Sequence, residues 1–129
     1  EQARQLFACR LAEKAYKLEQ TVHIHTGDEA TANRVDELLW TFRDGSFVPH
    51  DVVRPGSETP RAPVSVGCDP AFSSARDLLI NLDDVIPSCA GAFPRIAELV
   101  TSDDDSKQKS RRRFVAYRDE GHELETHNV

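Results

Sequence analysis

Thr21-Val22-His23-Ile24-His25-Thr26-Gly27-Asp28-Glu29-Ala30-Thr31-Ala32-Asn33-Arg34-Val35-Asp36-Glu37-Leu38-Leu39-Trp40-Thr41-Phe42 decides the fold. Its first six residues alternate and are rich in β-branched side chains, which predicts a strand. Gly27-Asp28 ends that strand, and Asp28 or Thr26 can cap the element that follows. Over residues 29–42, Ala32, Val35, Leu38, Leu39 and Phe42 fall on one side of a helix. Upstream, Leu6, Phe7, Leu11, Ala15 and Leu18 recur at helical spacing, so residues 3–18 read as an amphipathic helix with one buried face. A strand between two helices is the alternation expected of a parallel sheet.

The rest of the chain continues the pattern. Residues 54–63 contain Pro55, Gly56, Pro60 and Pro63 and read as a loop. Residues 64–68 alternate as a strand, and residues 70–76 form a turn. Residues 77–82 are an apolar run with polar ends, the mark of a strand buried on both faces. A short helix over 88–93 and a strand over 95–100 follow. Ser102 then caps a last helix with Asp103, Asp104 and Asp105 in its first turn, where the helix dipole favours negative charge. That helix runs to about Glu120, and Gly121 supplies its C-terminal cap. The expectation is one α/β domain over residues 1–129, Rossmann-like, with a mostly parallel sheet and helices on both faces.

Composition narrows the function. At 129 residues, with 29% charged and 39% hydrophobic side chains, the chain resembles an ordinary globular domain. No apolar run approaches a membrane span and no signal peptide is visible, which points to the cytoplasm. The cysteines, Cys9, Cys68 and Cys89, are scattered with no C-x-x-C pair, so they read as thiols in a reducing compartment rather than zinc ligands. His23 and His25 share a strand face, but no third ligand is evident and no metal is expected. The net charge of −6 argues against general nucleic-acid binding. Against that background, residues 106–118 hold Lys107, Lys109, Arg111, Arg112, Arg113 and Arg118 and no acid.

Two stretches stand out as candidate sites. Lys107, Arg111, Phe114 and Arg118 are spaced by four, three and four residues and share one helix face, with Tyr117 close by. Arg112 and Arg113 lie round the side as auxiliaries. Cations beside an aromatic wall match an acidic peptide with an apolar end. A solvated basic face that offsets Asp103 to Asp105 accounts for the spacing equally well. The second stretch holds Trp40, Phe42, Phe47, Val48, Pro49 and His50, where large apolar residues crowd a helix end and the loop after it. They read either as a sheet edge closed by core residues or as anchors for a partner.

Asp36-Glu37-Leu38-Leu39-Trp40 followed by Ser46-Phe47-Val48-Pro49-His50 resembles the chi subunit of bacterial DNA polymerase III. The similarity runs from the first helix to Leu124-Glu125-Thr126. The resemblance implies a non-enzymatic adaptor of the replisome. It implies that Val100, Lys107, Arg111 and Phe114 hold the acidic C-terminal tail of single-stranded-DNA-binding protein, with a Phe where the family commonly has Tyr. It also implies that Trp40, Phe47, Val48, Pro49 and His50 meet the psi subunit of the clamp loader, on a surface that a helicase also uses in the family. The family has a strand before its first helix, whereas this numbering opens on helix residues, so that strand is expected to be missing or unnumbered.

Enzymatic readings have less to stand on. No phosphate-loop or dinucleotide motif is present. Asp83-Asp84 follows a strand where open α/β sheets place ligands, which leaves a small nucleotide- or metal-dependent enzyme as the alternative. Ser73-Ser74 and Cys89 lack a general base at any readable spacing. No cofactor is expected, nor direct DNA binding.

Overall fold

Strand β4, Leu78–Asn81, is buried along its whole length, as are β1, Val22–His25, and β3, Val64–Gly67. Strands covered on both faces demand helical layers above and below. The computed structural model describes residues 2–42, 48–53, 62–69, 76–83, 85–100, 104–119, 121 and 123–128. Around the three buried strands stand β2, His50–Val53, β5, Arg95–Val100, and β6, Glu123–Asn128. The six strands lie in the order β2-β3-β1-β4-β5-β6, and every pairing is parallel.

Helices α1, Gln2–Lys17, and α2, Glu29–Thr41, cover one face. Their Ala8, Ala12, Ala32, Val35 and Leu39 pack with Val22, Ile24, Val66 and Ile80 of the sheet. The other face carries a 3-10 turn, Ser88–Ala92, and α3, Asp104–Asp119. There Cys89, Phe93 and Tyr117 pack on Leu79 and Ile96. Asp28 caps α2 through a bond from the Thr31 amide to its carboxylate at 2.7 Å. Gly121 ends α3 at a φ of +84°, with its amide bonded to the Arg118 carbonyl at 3.1 Å.

Two strands do not announce themselves in the pattern. Strand β2 has four residues with only Val53 buried, so no apolar run marks it. Its pairing is enforced from β3, where a Cβ on Gly67 would lie 2.7 Å from the Val53 carbonyl oxygen. Strand β6 alternates Glu123, Leu124, Glu125, Thr126 and His127. Leu124 joins the buried cluster while Glu125 pairs with Arg95 on the other face. The loop over 54–61, the turn over 70–75 and the cap at Ser102-Asp103 lie outside the described residues.

Candidate partner-docking surfaces

Trp40 is 56% exposed, far too open for the core closure that a lone Trp usually provides. It is held in place nonetheless. Helix α2 places Asp36 one turn before it, and edge strand β2 brings His50 against both. The His50 and Trp40 rings meet edge to face at 4.7 Å and 60°. His50 Nδ1 donates to the Val48 carbonyl at 2.7 Å, and Nε2 lies 2.9 Å from an Asp36 carboxylate oxygen, off the line of a good hydrogen bond. The imidazole is thus fixed from two sides, and the indole rests on it with its outer face in solvent.

The neighbours divide by depth. Val48 is fully buried and anchors the segment from beneath; Pro49 is half-buried. Phe42 packs on the core and caps α2, its amide bonded to the Leu38 carbonyl at 2.7 Å. The exposed part of the surface is therefore Trp40, with the His50 side chain buried beneath it. Phe47 lies outside the described residues. Asp36 was not singled out as a supporter; its position four residues before Trp40 is the signal that could have found it.

Helix α3 turns Ser110, Arg113 and Tyr117 to the sheet, all of them buried. Lys107, Arg111, Phe114 and Arg118 lie together on one outer flank, all exposed, with Phe114 at 44%. Among the described residues no acid pairs with Lys107 or Arg111. Val100, at the end of β5, is buried and offers little surface of its own. Tyr117 is not part of the outer wall that its spacing from Phe114 suggested. Arg113 is not an auxiliary docking cation either, because both belong to a buried network.

That network centres on Glu98, which is 1% exposed. Arg113 Nε and Nη2 both reach Glu98 Oε1 at 3.0 Å. Tyr117 donates its hydroxyl to Oε2 at 2.8 Å, and Asn81 Nδ2 donates to the same oxygen at 2.9 Å. Burial and the adjacent carboxylate push the Tyr117 phenol far above its ordinary range. The carboxylate is satisfied and paired, which is what keeps a charge tolerable at that depth. Nothing in the spacing of single residues reveals it, because Asn81, Glu98, Arg113 and Tyr117 come from three elements.

The carboxyl ends of β1 and β4 flank the point where the strand order reverses, the usual ligand crevice of an open α/β sheet. Here it is occupied by the chain's own acids. Asp83 lies 3.4 Å from His25 Nε2, and a Cβ on Gly27 would sit 3.1 Å from the Asp83 carboxylate. Asp28 already takes the amide at the start of α2. Negative charge thus stands where a nucleotide's phosphates would need donors. Asp84 lies outside the described residues. Among those described, no cluster of three or more His, Cys, Asp or Glu is placed to hold a metal. Burial pushes the Cys9 thiol up to about 12 and raises those of Cys68 and Cys89, and none of the three forms a disulfide. No helix of the described residues is long and apolar enough to cross a membrane.

His23 makes the fold acid-sensitive. It bonds Ser65 through Nδ1 at 2.8 Å and stacks on Phe93. Burial, with smaller contributions from His25 and Arg76, lowers its pKa to about 3 from 6.5. Below pH 6.5 the unfolded chain takes up a proton that the folded ring refuses. Stability is therefore full above that pH and falls on acidification toward pH 3, by about 2 kcal/mol at pH 5 from this group alone. His25, also lowered by burial, acts in the same direction. Urea unfolding at pH 7.5 and pH 5 tests this, with His23→Gln expected to flatten the pH dependence.

The sequence profile of the family described as DNA polymerase III chi subunit, HolC, matches residues 1–125. The chi subunit of Pseudomonas aeruginosa is 39% identical over 98% of this chain and 87% of its own length. That of Escherichia coli is 37% identical over 92% of this chain and 80% of its own length. That of Haemophilus influenzae is 34% identical, covering 95% and 85%.

Proposed function

Because this chain belongs to the DNA polymerase III chi subunit family, its role is that of a replication subunit, and we propose that it works as a non-enzymatic adaptor in the bacterial cytoplasm. Its Trp40 surface docks the psi subunit of the clamp loader. Its α3 flank holds the acidic C-terminal tail of single-stranded-DNA-binding protein. The observation that carries this reading is the separation of two exposed aromatic anchors. Trp40 stands beside edge strand β2 on one face, and Phe114 on a helix packed over β5 and β6 on the other. Six strands set these edges roughly 20–25 Å apart. Two partners can therefore be held at once.

Each surface has a chemical rationale. On α3, Arg111 forks the terminal carboxylate, Lys107 attracts the acids before it, and Phe114 walls the apolar end residue. Val100, at the end of β5, completes the set as its buried apolar member. At the other edge Trp40 and Phe47 are the anchors, with Val48 and Pro49 fixing the segment and His50 fixing the indole. A helicase that uses this edge competes with psi. Several tails displayed on one coated strand raise the effective concentration, so a weak single contact suffices.

A labelled acidic peptide ending in Pro-Phe tests the tail site. Saturable binding is expected, with Arg111→Ala weakening it about tenfold or more, as for loss of a charge-assisted bond to a carboxylate. Amidating the terminal carboxylate does the same, and rising salt weakens the contact. Binding indifferent to Arg111→Ala and to salt overturns this half of the proposal.

A further inference from the structure

Between helices α1 and α2 lies a groove of about 270 Å³, lined by Gln5 of α1 and by Arg34, Glu37, Leu38 and Thr41 of α2. Gln5 is 2% exposed, and its carboxamide nitrogen is buried with no hydrogen-bond acceptor among the described residues. Buried amides are almost always paired, so an unpaired one beside a groove marks a place where something else supplies the acceptor. Arg34 and Glu37 stand exposed on the rim, and neither forms an ion pair among the described residues.

The groove adjoins the Trp40 surface. At about 100° per residue, Glu37 lies about 60° round α2 from Trp40, and Thr41 about 100° round in the same direction. Asp36, which meets His50, lies on the other side of Trp40. A chain seated on the indole therefore reaches the groove by passing over Glu37 and Thr41. We propose that the partner docked on Trp40 continues into this groove as an extended, near-neutral segment whose main chain pairs with the Gln5 carboxamide, an inference that rests on the Trp40 reading above.

The lining selects that occupant. A carboxamide carries a donor and an acceptor side by side, the complement of a peptide group's carbonyl and amide. Thr41 donates its hydroxyl to the Glu37 carbonyl at 3.1 Å, which leaves its oxygen to accept from a second peptide amide. Half-buried Leu38 gives an apolar wall. The volume falls below that of a pocket enclosing a whole small molecule, and it suits one stretch of a longer chain. Arg34 and Glu37 cancel in charge. An acidic tail would meet Glu37, and a nucleic acid would find one cation beside one acid instead of a phosphate track.

The test is calorimetric titration of psi into the full chain and into Gln5→Leu, which keeps a side chain of similar size and removes the amide. Gln5→Leu should weaken psi binding about fivefold, as for loss of one neutral hydrogen bond. The Tm of the free variant should be equal or higher, because the free chain no longer buries an unpaired amide. A residue needed only for packing would lower binding and Tm together, and that result overturns the proposal. So does an unchanged psi affinity, which would mean that solvent satisfies Gln5. Should Gln5→Leu fail to fold, Arg34→Glu decides in its place. It lies at an exposed position away from Trp40, puts two acids on the rim, and should weaken psi binding by a similar factor. The acidic peptide ending in Pro-Phe should bind both variants as it binds the unchanged chain; weaker binding would make the tail the occupant and overturn the proposal. Trp40→Ala separates the two levels. Psi affinity indifferent to Trp40→Ala defeats the Trp40 reading, whereas a loss with Trp40→Ala and none with the groove variants defeats this inference alone.

Discussion

Replacing Glu98 with Ala lowers the stability of the fold by about 3–5 kcal/mol, the range expected when one member of a buried ion pair is removed. The loss is large because three groups depend on this carboxylate. Arg113 loses the buried carboxylate that it pairs with, and Tyr117 and Asn81 lose the acceptor they share. The triple change Glu98→Leu, Arg113→Met and Tyr117→Phe removes charges and hydroxyl together and should recover most of the loss. Urea unfolding of the single and triple variants measures both values. A single-variant loss below about 1 kcal/mol would mean that the pair is hydrated and that α3 is held by packing alone. The consequence reaches function, since the outer flank of α3 is positioned by this network through Arg113 and Tyr117.

Trp40→Ala should weaken psi binding by about 2–4 kcal/mol, roughly thirty- to a thousandfold, as for a central aromatic anchor. The same change should alter stability by no more than about 1 kcal/mol, because the side chain is 56% exposed. The pairing of a large binding loss with a small stability loss is the signature of an anchor rather than a core residue. Calorimetric titration with psi, beside a thermal melt of the same variant, separates the two. His50→Ala should show a smaller effect of the same kind, since it releases the indole without removing it.

The α/β alternation was legible because buried parallel strands and amphipathic helices carry strong periodic signals. Val22–His25, Leu78–Asn81 and Arg95–Val100 fall inside the stretches that periodicity marks. Strands β2 and β6 were not legible, since edge strands bury only one row of side chains and need no continuous apolar run. The candidate surfaces divide in the same way. Spacing by four, three and four places Lys107, Arg111, Phe114 and Arg118 on one flank, and the structure puts them there. Helical spacing cannot say which flank faces the sheet, so Tyr117 and Arg113 read as surface residues although they close a buried network.

The adaptor role is tested most directly by mixing this protein with psi and with single-stranded DNA coated by its binding protein, then sedimenting the DNA. Psi should reach the pellet only when this protein is present. It should be lost both with Trp40→Ala, which stays on the DNA without psi, and with Arg111→Ala, which keeps psi in the supernatant. Psi that sediments equally with either variant, or that displaces this protein from the coated strand, would contradict simultaneous docking at two opposite edges of the sheet.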